Sequence, residues 1–293
     1  MFKRSFLSLG VAAATLSLCP DVEARIGVTD RSSLGGLCAE TLNWIRTVYA
    51  AGGTVSPARR QIVNTLIVGL QQDGIWTLLD RLWTLAAENS TSALIDLKGL
   101  ATATATNSPT FTANQGYAGN GTTSYIESNW APTTGPNYVQ NSAHLSAYVR
   151  TNRTTGLANA TQTGVFGTSN VGNSQIGVNP PSSTVLRINQ NGAWGPGAQP
   201  STTQGYHILT RTGSGGTAGD FFINGASQGI TTSSASNGVT SRTLTIGVGQ
   251  NFGGYVTDQI AVITAGAGLN STQATNLSTR INAYMTALGT NVY

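Results

Sequence analysis

Beyond Gly99 the chain has three acidic side chains, Glu127, Asp220 and Asp258, and its two histidines, His144 and His207. Glycoside hydrolysis needs two carboxyl groups facing each other about 5–10 Å apart. The three acids are widely spread, with no Glu-x-Asp or Glu-x-x-x-Glu spacing. Serine-histidine-aspartate chemistry lacks its Gly-x-Ser-x-Gly elbow, and each histidine falls inside a strand pattern, where a structural role is expected. A calcium site would need two or more acids close together. Gly213-Ser-Gly-Gly216 precedes a strand instead of opening a helix, so it reads as a turn and not a phosphate loop. Cys19 and Cys38 lack the paired spacing of a zinc site. They could pair with each other or with a neighbouring subunit, or stay as inert buried thiols. No catalytic residue, metal site or cofactor is expected. What remains is recognition by aromatic faces and amides, which suits neutral sugars. Trp130 in Asn129-Trp-Ala-Pro132, Tyr138 in Pro136-Asn-Tyr138 and Trp194 in Asn191-Gly-Ala-Trp-Gly-Pro196 fall in loops and are the candidate glycan-stacking residues. Packing over a sheet edge is the competing fate for each.

The elements that would position them follow from the composition. Only 9% of the 293 residues are charged against 39% hydrophobic, the net charge is +4, and there are 36 glycines. The chain can bury a core, and its polarity comes from hydroxyls and amides. Clustered cations for nucleic acid are missing. Charges concentrate in residues 1–98, which suggests a boundary in the low-complexity run Ala101-Thr-Ala-Thr-Ala-Thr106. Three regions are expected: a tail over 1–38, a helical region over 39–98, and a β-domain over 99–293.

Lys3-Arg4, the apolar run Ser5 to Leu18 and then Val22-Glu23-Ala24 have the order of a secretory signal, or form a retained tail. No later apolar run reaches the ~20 residues of a membrane span. Leu42, Ile45 and Val48 predict a first helix ending at Gly52-Gly53. Ser56-Pro57 opens a second, with Ile62, Leu66, Ile67 and Leu70 inward. Trp76, Leu79, Leu82-Trp83 and Leu85 predict a third. Beyond Gly99 about ten short strands, with Asn-Gly turns at Asn120, Asn191, Asn224 and Asn237, predict an antiparallel β-sandwich or jelly roll. A helix capped by Ser271 closes the domain, and Asn291-Val-Tyr293 is expected to rejoin a sheet edge.

Ala50-Ala-Gly-Gly-Thr-Val-Ser56, Gly74-Ile-Trp-Thr-Leu-Leu-Asp-Arg-Leu-Trp83, Ala86-Ala-Glu-Asn89, Pro109-Thr-Phe-Thr112 and Gly116-Tyr-Ala-Gly-Asn-Gly121 occur together in one order. Thr210-Arg-Thr212, Phe222-Ile-Asn-Gly225, Leu244-Thr-Ile-Gly247 and Leu288-Gly-Thr-Asn-Val-Tyr293 follow them. From about residue 40 to the end this resembles a recurring protein of tailed bacteriophages and prophages whose second half is a concanavalin A-like (laminin G-like) jelly roll. The resemblance implies a mainly β chain with a short helical N-terminal region, acting as a non-enzymatic virion component such as a fibre, tail-tip or capsid-surface protein. Its N-terminal region would contact other virion proteins, its sandwich would face outward toward host-surface polysaccharide, and it would assemble as a homo-oligomer. The alternative is a secreted, lectin-like carbohydrate-binding protein. Neither reading involves nucleic acid.

Overall fold

A computed structural model describes residues 36–156, 161–165, 172–181, 184–190, 192, 200–229, 234–249 and 254–293. In chain order it contains α1 (Ala39–Ala50), α2 (Pro57–Gln72), β1 (Leu79–Thr84), α3 (Ser90–Leu94), β2 (Thr104–Thr106), β3 (Thr110–Thr112), β4 (Gly116–Ala118) and β5 (Tyr125–Glu127). The middle supplies β6 (Ala143–Val149), β7 (Thr163–Val165), β8 (Ser174–Gly177), β9 (Val185–Arg187), β10 (Gly205–Arg211) and β11 (Gly219–Ile223). The last stretch supplies β12 (Ala226–Ser227), β13 (Thr245–Ile246), β14 (Val248–Gly249), β15 (Gly254–Tyr255), β16 (Gln259–Gly266) and α4 (Ser271–Ala287).

Nearly all the strands fall into two antiparallel sheets. One has eight strands ordered β12-β11-β10-β6-β16-β4-β3, with β1 also on β16; the other has six, ordered β2-β5-β13-β7-β8-β9, while β14 and β15 pair as a ribbon. Leu145, Ala147, Leu209, Phe221 and Ile263 of the larger sheet meet Ile126, Ile176, Leu186 and Ile246 of the smaller in one core. The chain is thus a mainly β antiparallel sandwich with N-terminal helices. Asn224 (φ 53°) and Gly225 (φ 83°) make the left-handed pair that turns β11 into β12, as the dipeptide predicts.

The opposite face of the larger sheet is not exposed. Tyr148, Tyr206, Ile208, Phe222 and Val262 pack under Trp44 and Ile45 of α1, Val63 and Ile67 of α2, and Leu277 and Ile281 of α4. Three layers result, with the eight-stranded sheet in the middle, so β6 and β10 are buried along their whole length. Arg280 of α4 pairs with Asp73 at the end of α2 at 2.8 Å, and Tyr284 donates to the Ala86 carbonyl at 2.9 Å.

Two expectations are corrected by this packing. The third helix after Gly74 is instead one 3-10 turn, Trp76–Leu78, followed by β1. β1 pairs with β16 from Leu79↔Gly266 to Thr84↔Val262. A strand in a middle layer needs apolar groups on both faces: Leu82 points to the helical core and Trp83 to the inter-sheet core, which read along the sequence as a wide helical stripe. The composition change at Gly99 therefore divides no structural units, since β1 lies in the same sheet as β6, β10 and β16. The Ala-Thr run of residues 101–106 is not a linker; it ends in β2, an edge of the smaller sheet.

At the C-terminus Asn291 accepts from the Tyr148 hydroxyl at 2.8 Å, the Val292 N–H donates to that hydroxyl at 3.0 Å, and the Tyr293 ring lies 5.5 Å from that of Tyr148. The tail packs by side chains without adding a strand.

Candidate functional site

A groove of about 400 Å3 lies where the end of β10 and the start of β11 meet the start of α4, within the ~300–1,000 Å3 of small-ligand sites. Phe222 and Leu269 lie at its base, and Thr212, Thr217 and Asp220 face Asn270 and Ser271. Thr210 fixes the α4 side: its hydroxyl donates to the Leu269 carbonyl (3.0 Å) and accepts from the Leu269 N–H (2.7 Å). The 267–269 segment can cross β10 this closely because residue 268 is glycine; a β-carbon there would stand 2.0 Å from the Arg211 carbonyl oxygen.

Asn270, not Ser271, is the cap of α4. Its side chain accepts from the Gln273 N–H while Gln273 accepts from the Asn270 N–H, a reciprocal capping box. Ser271 and Thr272 therefore open the helix with N–H groups that have no intrahelical acceptor. Across the groove the Asp220 carboxylate accepts from the Ser227 hydroxyl at 2.6 Å and the Phe221 N–H at 2.7 Å. One wall thus presents helix-terminal donors and hydroxyls, the other a carboxylate acceptor flanked by threonines. A neutral polyol, which both donates and accepts, matches that pairing.

The loop beside Asp220 is set by Arg211, whose side chain is fully buried. Its Nε donates to Ile188 O at 3.0 Å, its Nη1 to Gly213 O and Gly215 O at 3.2 and 3.1 Å, and its Nη2 to Gln190 Oε1 and Ser234 O at 2.5 and 3.0 Å. Asn189 adds to this end of the sandwich, donating to Val139 O and Gln140 O at 3.0 and 3.1 Å.

The candidates from sequence fare differently. Trp130 and Tyr138 sit in loops as expected, but they are 1% and 2% exposed. Their rings meet edge to face at 6.0 Å, and the Tyr138 hydroxyl donates to Ser174 at 2.7 Å. Neither offers a face to a sugar. The cause is local: Asp80 on β1 accepts the N–H groups of Asn137 and Tyr138 at 3.1 and 2.8 Å, folding the loop inward. Trp194 lies outside the described residues. Cys38 is a buried free thiol, 3.2 Å from the Thr41 hydroxyl; Cys19, its candidate partner, is also outside the described residues.

His144 and His207 lie on β6 and β10 and are fully buried, and burial pushes both down to about 4. His144 bonds Ala267 O and Thr264 Oγ1 at 2.6 and 3.0 Å. The acids are held apart. Glu127 is on the six-stranded sheet, Asp220 on β11, and Asp258 is buried in a bond to Arg153 (2.9 Å) and Gln162 (2.8 Å). Asn270 is far from Thr210 and Asp220 in the sequence, and no local pattern joins the three. Their meeting depends on α4 folding back across β10.

No protein-family model matches the sequence, and no curated protein is significantly similar to it. Among solved structures, domain 4 of AbnA, a GH43 extracellular arabinanase from Geobacillus stearothermophilus in complex with arabinotriose, aligns with a TM-score of 0.48 at 17% identity, over 68% of this chain and 98% of that one. A mutant of Trypanosoma rangeli sialidase displaying trans-sialidase activity aligns with a TM-score of 0.49 at 12% identity, over 77% of this chain and 40% of the sialidase. At such identities the likeness says nothing about ligand or reaction.

Proposed function

We propose that this chain is a non-catalytic carbohydrate-binding module that takes neutral glycans in the groove between Asp220 and the start of α4. The observation that carries the reading is the pairing, in one groove, of the Asp220 carboxylate with the first-turn N–H of Ser271 and with threonine hydroxyls. Vicinal sugar hydroxyls would donate to Asp220 and accept from the Ser271 N–H, with the Thr212 and Thr217 hydroxyls completing the polar contacts. Binding without hydrolysis is the expectation because Asp258 is committed to Arg153 and, among the described residues, no second carboxylate borders the groove.

The test is affinity for a panel of neutral, acidic and basic polysaccharides with Asp220→Ala and Thr217→Ala. Neutral glycans should bind, and Asp220→Ala should weaken them by about tenfold, as loss of a hydrogen bond to a charged group does, with little change in Tm. Unchanged binding in Asp220→Ala would remove the groove from consideration. Sugar release that survives Glu127→Gln, Asp220→Asn and Asp258→Asn together would mean catalysis by other groups.

A second reading places the module on a bacteriophage particle as a fibre, tail-tip or capsid-surface protein. Its support is the sequence resemblance over residues 40–293, and the α1–α2 layer would then be the side that contacts other virion proteins. Electron microscopy of particles carrying the labelled chain tests it, with label absent from every particle counting against it.

A further inference from the structure

We propose that a second, smaller cavity, on the helical layer, binds a free amino acid or similar small zwitterion, its ammonium on Glu88 and its carboxylate on Arg59. The cavity of about 250 Å3 lies between the start of α2, the end of α4 and the turn at Asn114. It is lined by Arg59 and Glu88, with Ile62, Ala287 and Leu288 as its apolar part. It is too small for an extended glycan and large enough for a leucine-sized molecule.

The charges are what point to a ligand of both signs. Arg59 is 5% exposed, yet its side-chain partners are all neutral: Ala86 O at 3.0 Å, the Tyr284 hydroxyl at 2.8 Å and the Asn114 amide oxygen. These take both Nη1 hydrogens and one of Nη2, leaving Nε–H and the second Nη2 hydrogen without an acceptor among the described residues. A buried guanidinium with only neutral acceptors keeps an uncompensated charge. Glu88 accepts from the Ser56 N–H at 2.9 Å and from the Ser56 hydroxyl. It joins none of the ion pairs among the described residues, and neither does Arg59. Two opposite charges therefore border one cavity without meeting each other. An α-amino acid, with its ammonium and its carboxylate both on one carbon, offers a partner to each, and its apolar side chain would lie along Ile62 and Leu288.

Calorimetric titration of the full chain with leucine, leucinamide and N-acetylleucine tests this. Leucine should bind, and each blocked analogue should be weaker by about tenfold or more, the effect of losing one charge-assisted hydrogen bond. Glu88→Gln should weaken leucine by a similar factor and leave the residual binding of N-acetylleucine unchanged. Ala287→Leu, which fills the cavity from an exposed position of α4, should abolish binding while Tm holds, so the outcome does not depend on Glu88→Gln folding. No saturable heat in the millimolar range, or equal affinity for all three compounds, overturns the proposal. Glycan binding at the Asp220 groove is read separately and is unaffected by either result.

Discussion

His207 lies in the inter-sheet core, stacked on Phe221 at 5.9 Å, with no hydrogen bond to either ring nitrogen among the described residues. A buried polar group without partners weakens the fold, so His207→Leu, of similar volume, should raise Tm; a fall at neutral pH would contradict this account. The same burial sets an acid response. With the folded pKa depressed from 6.5 to about 4, the unfolded chain takes up a proton the folded one refuses. Stability is full above pH 6.5 and is lost as pH falls through about 4, by roughly 3 kcal/mol at about 1.36 kcal/mol per unit. His144 acts in the same direction. Asp96 acts in the opposite one. It accepts the N–H groups of Leu82, Lys98 and Gly99 at 2.8, 2.9 and 2.8 Å and bonds Arg81 at 3.3 Å, yet burial raises it to about 6. A raised carboxyl contributes most below pH 3.8 and loses that contribution as pH rises through 6, so it offsets part of the histidine loss on acidification. Asp96→Asn turns an amide group toward backbone donors and should cost about 1–3 kcal/mol at pH 7. Its stability should also fall more steeply than wild type between pH 6 and 4 in urea titrations; parallel curves would remove Asp96 from the acid response.

Among the elements, the loops that follow β9 and β10 depend on one buried cation. Arg211 donates to four carbonyls and an amide oxygen, and lysine, with three donors on one nitrogen, cannot reach all of them. Arg211→Lys should destabilise the chain by about 3 kcal/mol or more and weaken glycan affinity through the displaced 213–218 segment. Native affinity in a folded Arg211→Lys chain would show the groove to be set without it. How much of this the sequence reveals differs by element. α2 was legible to its cap, because Ser56-Pro57 is a local signal, and the β11–β12 hairpin was legible from Asn224-Gly225. β1 was not: Leu82 and Trp83 serve opposite faces of a middle sheet, and alternation is invisible when both faces are apolar. Trp130 and Tyr138 were placed correctly in loops, but their burial depends on Asp80, distant in sequence and joined to them only by the fold. The groove was illegible for the same reason, since none of its walls is contiguous with another.

For the whole molecule, the three-layer arrangement changes what removing the N-terminal region should do. From sequence, residues 1–98 look dispensable to the β-domain. With β1 paired along β16, and α1 and α2 covering Tyr148, Tyr206 and Ile208, a chain starting at Gly99 exposes a large apolar face. It should aggregate or lack a cooperative thermal transition, and a soluble 99–293 fragment with a native-like Tm would contradict the layered core. The β1–β16 pairing also joins two segments separated by almost the entire β-region, the kind of contact that forms late. During synthesis α1, α2 and β1 leave the ribosome long before β16 exists, so β1 waits without this partner strand until nearly all of the β-region has been made. For most of its synthesis, then, β1 is a strand with an open edge, and the middle layer closes only when the chain is nearly complete.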